Sequence, residues 1–433
     1  TILLVLLPIL VMPLFGLDDL QVGAVGLNES SKRQPNIVYI LADDLGYGEL
    51  GSYGQELIQT PNLDRLASQG MRMTQHYSGS TVCAPSRCVL LTGLHTGHSV
   101  VRNNWENGGW GPDQPEGQYP LPEGTDTLAR RLQEQGYRTS AIGKWGLGGP
   151  GTSGHPNLQG FDHFYGYLCQ RKAHNYYPTH LWRNSEKVML EGNAYFKAHQ
   201  KISEPFVDES MYEQQYAGAQ YAPDLMIDEA VQFIKSSGDE PFFLYYPSPI
   251  PHLALQIPED DLGRYPEAWD ETAYLGDKGY LPHDRPRAAY AAMITRLDTE
   301  VGKILDQLDA QGLTENTIVI FSSDNGATYA GGVDYDFFES SGGLRGLKGS
   351  LWEGGIRVPM IARWPGHIPA DTVSDHISGF QDVMPTVLEM VDAPPADKID
   401  GVSFAAALKG QEQVNASPFL YWERDGRQAV RMG

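Results

Sequence analysis

Two pairs of polar residues follow apolar runs at widely separated places in the chain. Asp43 and Asp44 come directly after the run NIVYILA, and Asp324 and Asn325 come directly after TIVIFSS. Three carboxylates and an amide oxygen form a hard donor set that suits Ca²⁺ or Mg²⁺ better than Zn²⁺. Either pair alone is equally well interpreted as a turn, since Asp and Asn are common turn residues. Adjacent carboxylates repel unless a cation or a proton neutralises them, so the two pairs together favour a metal site.

Cationic side chains occur at comparable places. Lys144 ends the apolar stretch SAIGK, His252 ends PFFLYYPSPIPH, and Lys348 lies in a glycine-rich loop before another apolar run. Each of these residues alone is typical of a solvated surface. Together with Arg87 they form a set that would hold a tetrahedral anion, because ammonium groups and a bidentate guanidinium match its oxygens.

Two of the three cysteines flank a Pro-Ser-Arg sequence in VCAPSRCVLLTG. A disulfide between Cys83 and Cys88 is not expected, because half-cystines this close, with a proline between them, rarely reach the required geometry. Cys88 is interpreted as a small buried hydrophobic residue about one turn into the helix that RCVLLTG begins. Cys83 is therefore either a reactive residue or part of the core.

Apolar runs alternate with amphipathic stretches from Asn36 onward, which predicts an α/β sheet covered by helices on both faces. Strands are predicted within 36–42, 137–145, 241–252, 316–326 and 358–364, and helices within 60–70, 124–136, 223–238 and 287–312. Ligands bind at the carboxyl ends of strands in such sheets, which would bring both acidic pairs into one crevice. Residues 148–215 lack periodicity and predict a long, ordered excursion from the sheet.

The composition limits the partners and the location. The chain has 433 residues and a formal net charge of −22, and this field would repel nucleic acid and anionic lipid, so no nucleic-acid partner is expected. The chain begins with an apolar run of about 17 residues, shorter than the roughly 20 that a spanning helix needs. Residues 1–33 are therefore predicted to be a cleaved signal peptide and leader, with a short membrane anchor as the alternative. Either interpretation predicts an exported protein, periplasmic or extracellular.

The motif CAPSR followed by LLTG resembles the signature of the type I, formylglycine-dependent sulfatases. Further motifs occur in the order that this family shows, namely LADDLGYGELGSYG, GKWGLGG, PIPH, SSDNG and LRGLKGSLWEGGIRVP. The resemblance extends from about Asn36 to the end of the chain. It implies an alkaline-phosphatase-like fold, a large mixed and mostly parallel sheet between helices. The implied domains are a catalytic domain over 34–414 and, over 415–433, the start of a small antiparallel C-terminal subdomain that is only partly present.

The resemblance also implies how the metal and the cysteine are used. Cys83 would be oxidised to formylglycine by a maturation enzyme, and the hydrated aldehyde would supply the nucleophile and one metal contact. The remaining ligands of a single Ca²⁺ ion would be Asp43, Asp44, Asp324 and Asn325.

Four further residues receive roles by the same resemblance. Arg87 would hold the formylglycine, Lys144 and Lys348 would bind the sulfate oxygens, and His252 would lie beside the leaving group. One position departs from the family pattern, because many members read GKWHLG where this chain has Gly146. That histidine is thought to assist release of the sulfate. Activity is nevertheless expected, since the nucleophile and the metal ligands are intact.

The implied function is a sulfuric ester hydrolase that removes sulfate from a carbohydrate, in the manner of exo-acting bacterial polysaccharide sulfatases. The segment GFDHFYGYLCQRKAHNYYPTHLWRN combines aromatic faces with a few polar groups, as carbohydrate-sized sites do. Arg171 and His174 are the predicted substrate contacts, and the alternative is that the aromatic residues form the segment's own core. The expected substrate is a 4-sulfated galactose or N-acetylgalactosamine. The sequence makes no prediction of the oligomeric state.

Two other functions remain open at this level. A phosphate or phosphonate ester hydrolase of the same superfamily would act on a group of nearly the same shape. Phosphatases of that superfamily generally use Ser or Thr with two zinc ions and several His ligands, and no His-rich pattern accompanies DDLG or SSDNG. The second is a catalytically impaired homologue that binds glycans, and Gly146 in place of histidine is the single feature that supports it.

Overall fold

The computed structural model describes residues 33–109, 111, 114–207 and 210–433. The predicted signal peptide and leader lie outside the described residues, apart from Arg33 at their end. Residues 34–433 form one compact unit. Among the described residues, no helix is both long enough and apolar enough to cross a bilayer.

The described secondary structure alternates strands and helices along the chain. The strands are β1 (Asn36–Ala42), β2 (Met71–Tyr77), β3 (Arg138–Lys144), β4 (His163–Tyr167), β5 (His180–Arg183), β6 (Glu186–Met189), β7 (Phe242–Pro247), β8 (Thr317–Ser323), β9 (Arg357–Arg363), β10 (Thr372–Ser374), β11 (Ser378–Gly379), β12 (Leu420–Arg424) and β13 (Arg427–Arg431). The α-helices are α1 (Pro61–Ser68), α2 (Cys83–Thr92), α3 (Leu128–Glu134), α4 (Ser210–Tyr216), α5 (Ala222–Lys235), α6 (Glu259–Leu262), α7 (Pro286–Ala310), α8 (Glu353–Ile356), α9 (Val383–Met390) and α10 (Ala405–Leu408).

The large sheet is mixed and mostly parallel, which confirms the predicted fold class. Its eleven strands lie in the order β10-β2-β9-β8-β1-β7-β3-β4-β5-β6, with β11 also pairing with β2. Strands β8, β1, β7, β3 and β4 are parallel to one another. On either side of this group, β9 runs antiparallel to β8 and β5 runs antiparallel to β4. The carboxyl ends of the five parallel strands therefore meet at one edge of the sheet, where ligands bind in folds of this kind.

The central strand β1 is buried on both faces because helices cover both sides of the sheet. Its side chains alternate between two cores, as the two-residue period of a strand requires. Val38 and Ile40 pack in the core that contains α7, and Ile37 and Tyr39 pack in the core that contains α2 and α9. A continuous apolar run is what a parallel strand between two helical layers needs.

Part of the segment 148–215 joins the sheet, which differs from the predicted excursion. β4 pairs in parallel with β3, from Ser140 opposite His163 to Lys144 opposite Tyr167, and β5 and β6 continue antiparallel to the edge. These strands have four or five residues each, so their periodicity is too short to detect. Their pairing depends on a distant partner strand, which local sequence does not reveal.

A second, two-stranded antiparallel sheet consists of β12 and β13, as expected for the predicted C-terminal subdomain. Trp422 of this hairpin is buried against the ring of Tyr77, with centroids 5.6 Å apart. Its indole Nε1 donates to the backbone oxygen of Ser78 at 2.8 Å. The hairpin is thereby attached to the segment that leads into α2.

Glu300 of α7 is a buried carboxyl whose protonation should make stability depend on pH. Its Oε2 accepts from Ser248 at 3.0 Å. Burial raises the pKa of Glu300 to about 8. The folded protein therefore keeps this proton in a range where the unfolded chain, with a pKa near 4.5, has released it, and stability is lost as pH rises from about 4.5 to 8.

We expect Glu300→Gln, which is neutral at every pH, to lose less stability than the wild type between pH 5 and pH 8, by an amount on the order of a few kcal/mol. Thermal unfolding of both proteins at the two pH values measures the difference. Glu49, whose pKa burial raises to about 7, keeps part of the pH dependence in both proteins. An identical fall in the melting temperature for wild type and variant would contradict the role of Glu300.

Candidate active site

Four adjacent strands bring the predicted chemical residues to one edge of the sheet. In sheet order these residues are Asp324 and Asn325 after β8, Asp43 and Asp44 after β1, His252 beyond β7 and Lys144 at the end of β3. The register places Ala42 opposite Ser323, so β1 and β8 end at the same level. The Asp43–Asp44 pair and the Asp324–Asn325 pair, nearly 300 residues apart in sequence, therefore meet as predicted.

Cys83 lies at the centre of this group. It is the first residue of α2, so the helix begins earlier than the sequence suggested. Its Sγ lies 3.3 Å from Asp43 Oδ1 and 3.8 Å from Asp44 Oδ1. The ammonium groups of Lys144 and Lys348 lie 3.8 and 3.7 Å from the same sulfur. Residue 83 is thus held between carboxylates and cations, which are the groups that a metal-assisted reaction on an anion requires.

Arg87 lies one turn further along α2 and is completely buried. Its Nε and Nη2 both donate to Asp324 Oδ2, at 3.0 and 2.8 Å, and Nη2 is 3.4 Å from Asp43 Oδ2. Its Nη1 donates to the backbone oxygen of Lys144. Although burial opposes the charge, the Asp324 and Asp43 carboxylates raise the pKa of Arg87, which stays protonated. Arg87 therefore fixes α2 against the ends of β8, β1 and β3.

Asp44 directs both carboxylate oxygens into the site. Its Oδ1 accepts from Asn325 Nδ2 at 2.8 Å, and its Oδ2 accepts from Lys348 Nζ at 2.6 Å. Its backbone N–H donates to Asp324 Oδ1 at 3.1 Å, and its φ of +68° turns the chain at this point. His252 Nε2 lies 3.7 Å from the same Oδ2.

The charges of the site balance. Its carboxylates belong to Asp43, Asp44 and Asp324, and its cations to Arg87, Lys144 and Lys348. Burial would raise the pKa of Asp43, but Lys144, His252 and Arg87 together lower it below its usual range, so Asp43 is ionised. Burial and the charge of Asp43 raise the pKa of Asp324 above its usual value. Adding a divalent cation to this neutral set would make the site positive and suited to an anionic substrate.

The donor atoms suit a hard cation. Asn325 Oδ1 is buried and accepts no hydrogen bond, so one oxygen ligand is available. Ligand atoms of Asp43, Asp44, Cys83 and His252 lie within 4.8 Å of one another. Burial and the neighbouring Asp43 raise the pKa of the Cys83 thiol well above its usual value. Soft metals favour several thiolate ligands, and this described group contains a single cysteine. Carboxylate and amide oxygens instead fit Ca²⁺ or Mg²⁺.

The His252 imidazole has a defined orientation. Its Nδ1 donates to the backbone oxygen of Leu253 at 2.7 Å, which leaves Nε2 facing Asp44. Burial and the charges of Lys144 and Lys348 lower the pKa of His252 to about 4. The imidazole is therefore neutral near pH 7, with a lone pair on Nε2 that is able to take up a proton.

The two predicted substrate contacts lie in different surroundings. The ring of His174 stacks on that of His252, with centroids 4.9 Å apart and planes 16° from parallel, so His174 forms part of the wall of the site. Arg171 forms an ion pair with Glu106, and its Nη1 donates to the backbone oxygen of Gly108 at 2.7 Å. Arg171 therefore holds a neighbouring loop. Substrate contact remains a prediction for both residues.

Gln170, which the sequence did not single out, lies beside Gly146, two residues after Lys144. A Cβ on Gly146, whose φ is +79°, would lie 2.9 to 3.0 Å from Cγ, Nε2 and Cδ of Gln170. The Nε2 of Gln170 is buried and has no hydrogen-bond partner. The Gln170 amide thus occupies the space that a side chain at position 146 would need. The one signal in the sequence was Gly146 itself, which replaces the histidine of many family members and so leaves space for another side chain.

The chain is similar to known proteins in its sequence and in its fold. Residues 35–393 match the profile of the Sulfatase family. Arylsulfatase G of Mus musculus is 33% identical over 407 residues, which cover 88% of this chain and 70% of the relative. The N-acetylgalactosamine-6-sulfatase of Canis lupus familiaris is 32% identical over 430 residues, which cover 96% of this chain and 73% of the relative. The crystal structure of Ps i-CgsB in complex with k-i-k-neocarrahexaose superposes with a TM-score of 0.71 at 28% identity, covering 92% of this chain and 82% of that one.

Proposed function

The chain belongs to the sulfatase family and hydrolyses sulfate esters, and we propose that it does so through a formylglycine formed from Cys83 and one bound Ca²⁺ ion. The observation that carries this proposal is the position of Cys83 Sγ, 3.3 Å from Asp43 and less than 4 Å from the ammonium groups of Lys144 and Lys348. A maturation enzyme that recognises the CAPSR segment is a required partner. Because residues 1–33 are predicted to be a signal peptide, the protein would be exported to the periplasm or to the medium.

The residues around Cys83 have separate tasks in this reaction. When present, the Ca²⁺ ion and the hydrated formylglycine supply positive charge and the attacking oxygen. Lys144 and Lys348 bind the sulfate oxygens and stabilise the charge that develops on them. Arg87 keeps the start of α2 at the metal ligands, because its guanidinium is fixed by Asp324.

His252 acts on the leaving group. Its Nε2 accepts a proton once an anion is bound, because a nearby negative charge raises the pKa that Lys144 and Lys348 otherwise lower. It then donates this proton to the sugar oxygen as the sulfur–oxygen bond breaks, which a poor leaving group such as an alkoxide requires.

The proposed substrate is a sulfated sugar of the galactose type. One relative is named N-acetylgalactosamine-6-sulfatase, and a solved structural neighbour, Ps i-CgsB, is in complex with k-i-k-neocarrahexaose. The sequence favours a sugar that carries its sulfate at position 4, whereas the name N-acetylgalactosamine-6-sulfatase specifies position 6. Both sulfated sugars therefore belong in the test. The wall formed by His174 beside His252 is where the sugar ring would lie.

The test is a panel of small substrates for the fully matured enzyme. We expect kcat/KM for 4- or 6-sulfated N-acetylgalactosamine to exceed that for a phosphonate monoester by about 10³-fold or more, which corresponds to roughly 4 kcal/mol of transition-state stabilisation. A preference for the phosphonate would favour the rival hydrolase. Failure to hydrolyse any sulfate ester, with residue 83 fully converted, would favour the glycan-binding homologue.

A further inference from the structure

Tyr280 contributes a phenol ring to the wall that His252 and His174 form in the proposed active site. Its ring centroid lies 5.8 Å from that of His252, with the planes at 76° to each other, and 5.2 Å from that of His174. The ring of His199 lies 4.4 Å away. Gly331 packs closely against the ring as well, because a Cβ there would lie 3.1 Å from Tyr280 Cδ2. The ring is therefore held firmly beside His252.

The backbone of Tyr280 adopts a conformation that bulky residues rarely use. Its φ is +66°, in the left-handed region that favours glycine. The backbone N–H of Tyr280 donates to His199 Nδ1 at 3.1 Å, and its backbone oxygen accepts from the N–H of Gln200 at 3.1 Å. Residues that the surrounding structure holds in such strained conformations cluster at functional sites. The strain at Tyr280 therefore indicates a function for its side chain.

The hydroxyl of Tyr280 is available to a ligand. In the part of the chain that the structure describes, it makes no hydrogen bond, and the side chain is only partly buried. Burial raises the pKa of Tyr280 above its usual value, the charge of Lys348 lowers it, and the charge of Asp44 raises it. Because electrostatic effects weaken with distance, the hydroxyl faces the group of residues around Cys83. It stays protonated near pH 7 and is able to donate a hydrogen bond.

From this geometry we propose that Tyr280 is a further catalytic residue, whose hydroxyl donates a hydrogen bond to the bridging oxygen of the sulfate ester. The inference rests on the proposed function, in which His252 acts on the same oxygen. When the sulfur–oxygen bond breaks, the bridging oxygen keeps the electron pair and leaves with the sugar. His252 supplies the proton that this oxygen takes up, and Tyr280, which keeps its own proton, stabilises the charge that develops before the transfer is complete.

The test is Tyr280→Phe, measured with substrates whose leaving groups differ in acidity. Phenylalanine keeps the ring that packs against the three histidines and loses only the hydroxyl. We expect kcat/KM for sulfated N-acetylgalactosamine to fall about 10²-fold, as on loss of one hydrogen-bond donor to developing charge. For 4-nitrophenyl sulfate, whose leaving group needs little help, the fall should be less than about threefold. The loss should appear in kcat rather than in KM, because the charge develops in the transition state.

Aryl sulfates of intermediate acidity give the dependence of kcat/KM on the leaving group. Tyr280→Phe should steepen this dependence, whereas a merely structural role would lower the values for all substrates by the same factor. The matched control is Tyr274→Phe in the same segment. The Tyr274 hydroxyl donates to the backbone oxygen of Gly279 at 2.5 Å and accepts from the N–H of Lys278 at 2.8 Å, so its loss affects the segment alone. This control should keep the wild-type dependence.

The outcomes separate the two claims. Equal losses for all substrates in Tyr280→Phe, or an unchanged kcat/KM for the sugar sulfate, would overturn the role of Tyr280 and leave the proposed function intact. If the fully matured wild type hydrolysed no sulfate ester, the proposed function would be wrong, and the role of Tyr280 with it.

Discussion

Cys83→Ala is expected to hydrolyse sulfate esters at least about 10⁴-fold more slowly than the wild type, because removing a nucleophile removes most of the chemical rate enhancement. The Sγ of Cys83 lies within 4 Å of Asp43 Oδ1 and of the ammonium groups of Lys144 and Lys348. The measurement is kcat/KM with an aryl sulfate, after expression of both proteins with the maturation enzyme.

The chain offers a matched control for this substitution. Cys88 is also a fully buried cysteine of α2, but it faces the core formed with β1 and α9. Cys88→Ala should therefore keep kcat/KM close to the wild-type value and lower only the stability, by about 1 kcal/mol for the lost buried sulfur. Activity of Cys83→Ala within tenfold of the wild type would show that residue 83 is not the nucleophile.

Asp44→Asn is the second substitution with a large expected effect. Asparagine has the same shape and tolerates the positive φ of +68° that this position adopts, so the fold should persist. The change removes the negative charge of a carboxylate that is both a proposed metal ligand and the partner of Lys348 Nζ. We expect kcat/KM to fall about 10³-fold, since a metal contributes several kcal/mol to stabilising transition-state charge.

Removing the metal should reproduce this loss in the wild type. Exhaustive chelation is expected to abolish turnover and to lower the melting temperature, because the folded protein then loses the free energy of metal binding. Ca²⁺ should restore both properties and Zn²⁺ should not, given the oxygen-rich donor set. A metal-free preparation, verified by elemental analysis, that keeps full activity would contradict the metal site.

Much of the site was predictable because it depends on strand ends. NIVYILA and TIVIFSS predicted two buried strands, and parallel strands place the residues that follow them at one edge of the sheet. The structure pairs Ala42 with Ser323, so Asp43 and Asp324 meet as this reasoning requires. Lys144 was predictable in the same way, since it ends β3.

Other features depend on contacts between distant residues that local patterns do not encode. The pairing of β4 with β3 is decided by packing of the partner strand, so the segment around His163 carried no usable periodicity. The ion pair of Arg171 with Glu106 likewise joins residues 65 positions apart, which local sequence does not reveal, and substrate contact by Arg171 stays a prediction. The amide of Gln170 fills the space beside Gly146 only because the two segments that carry them lie together in the fold.

The most direct test of the central claim is peptide mass spectrometry of residue 83, in protein produced with the maturation enzyme and shown to be active. The proposed mechanism predicts that the thiol mass is lost and that the peptide carries an aldehyde or its hydrate, which reacts with a carbonyl reagent. The fraction converted should rise in proportion to specific activity across preparations. A fully active protein in which Cys83 is still an unmodified thiol would contradict the formylglycine mechanism.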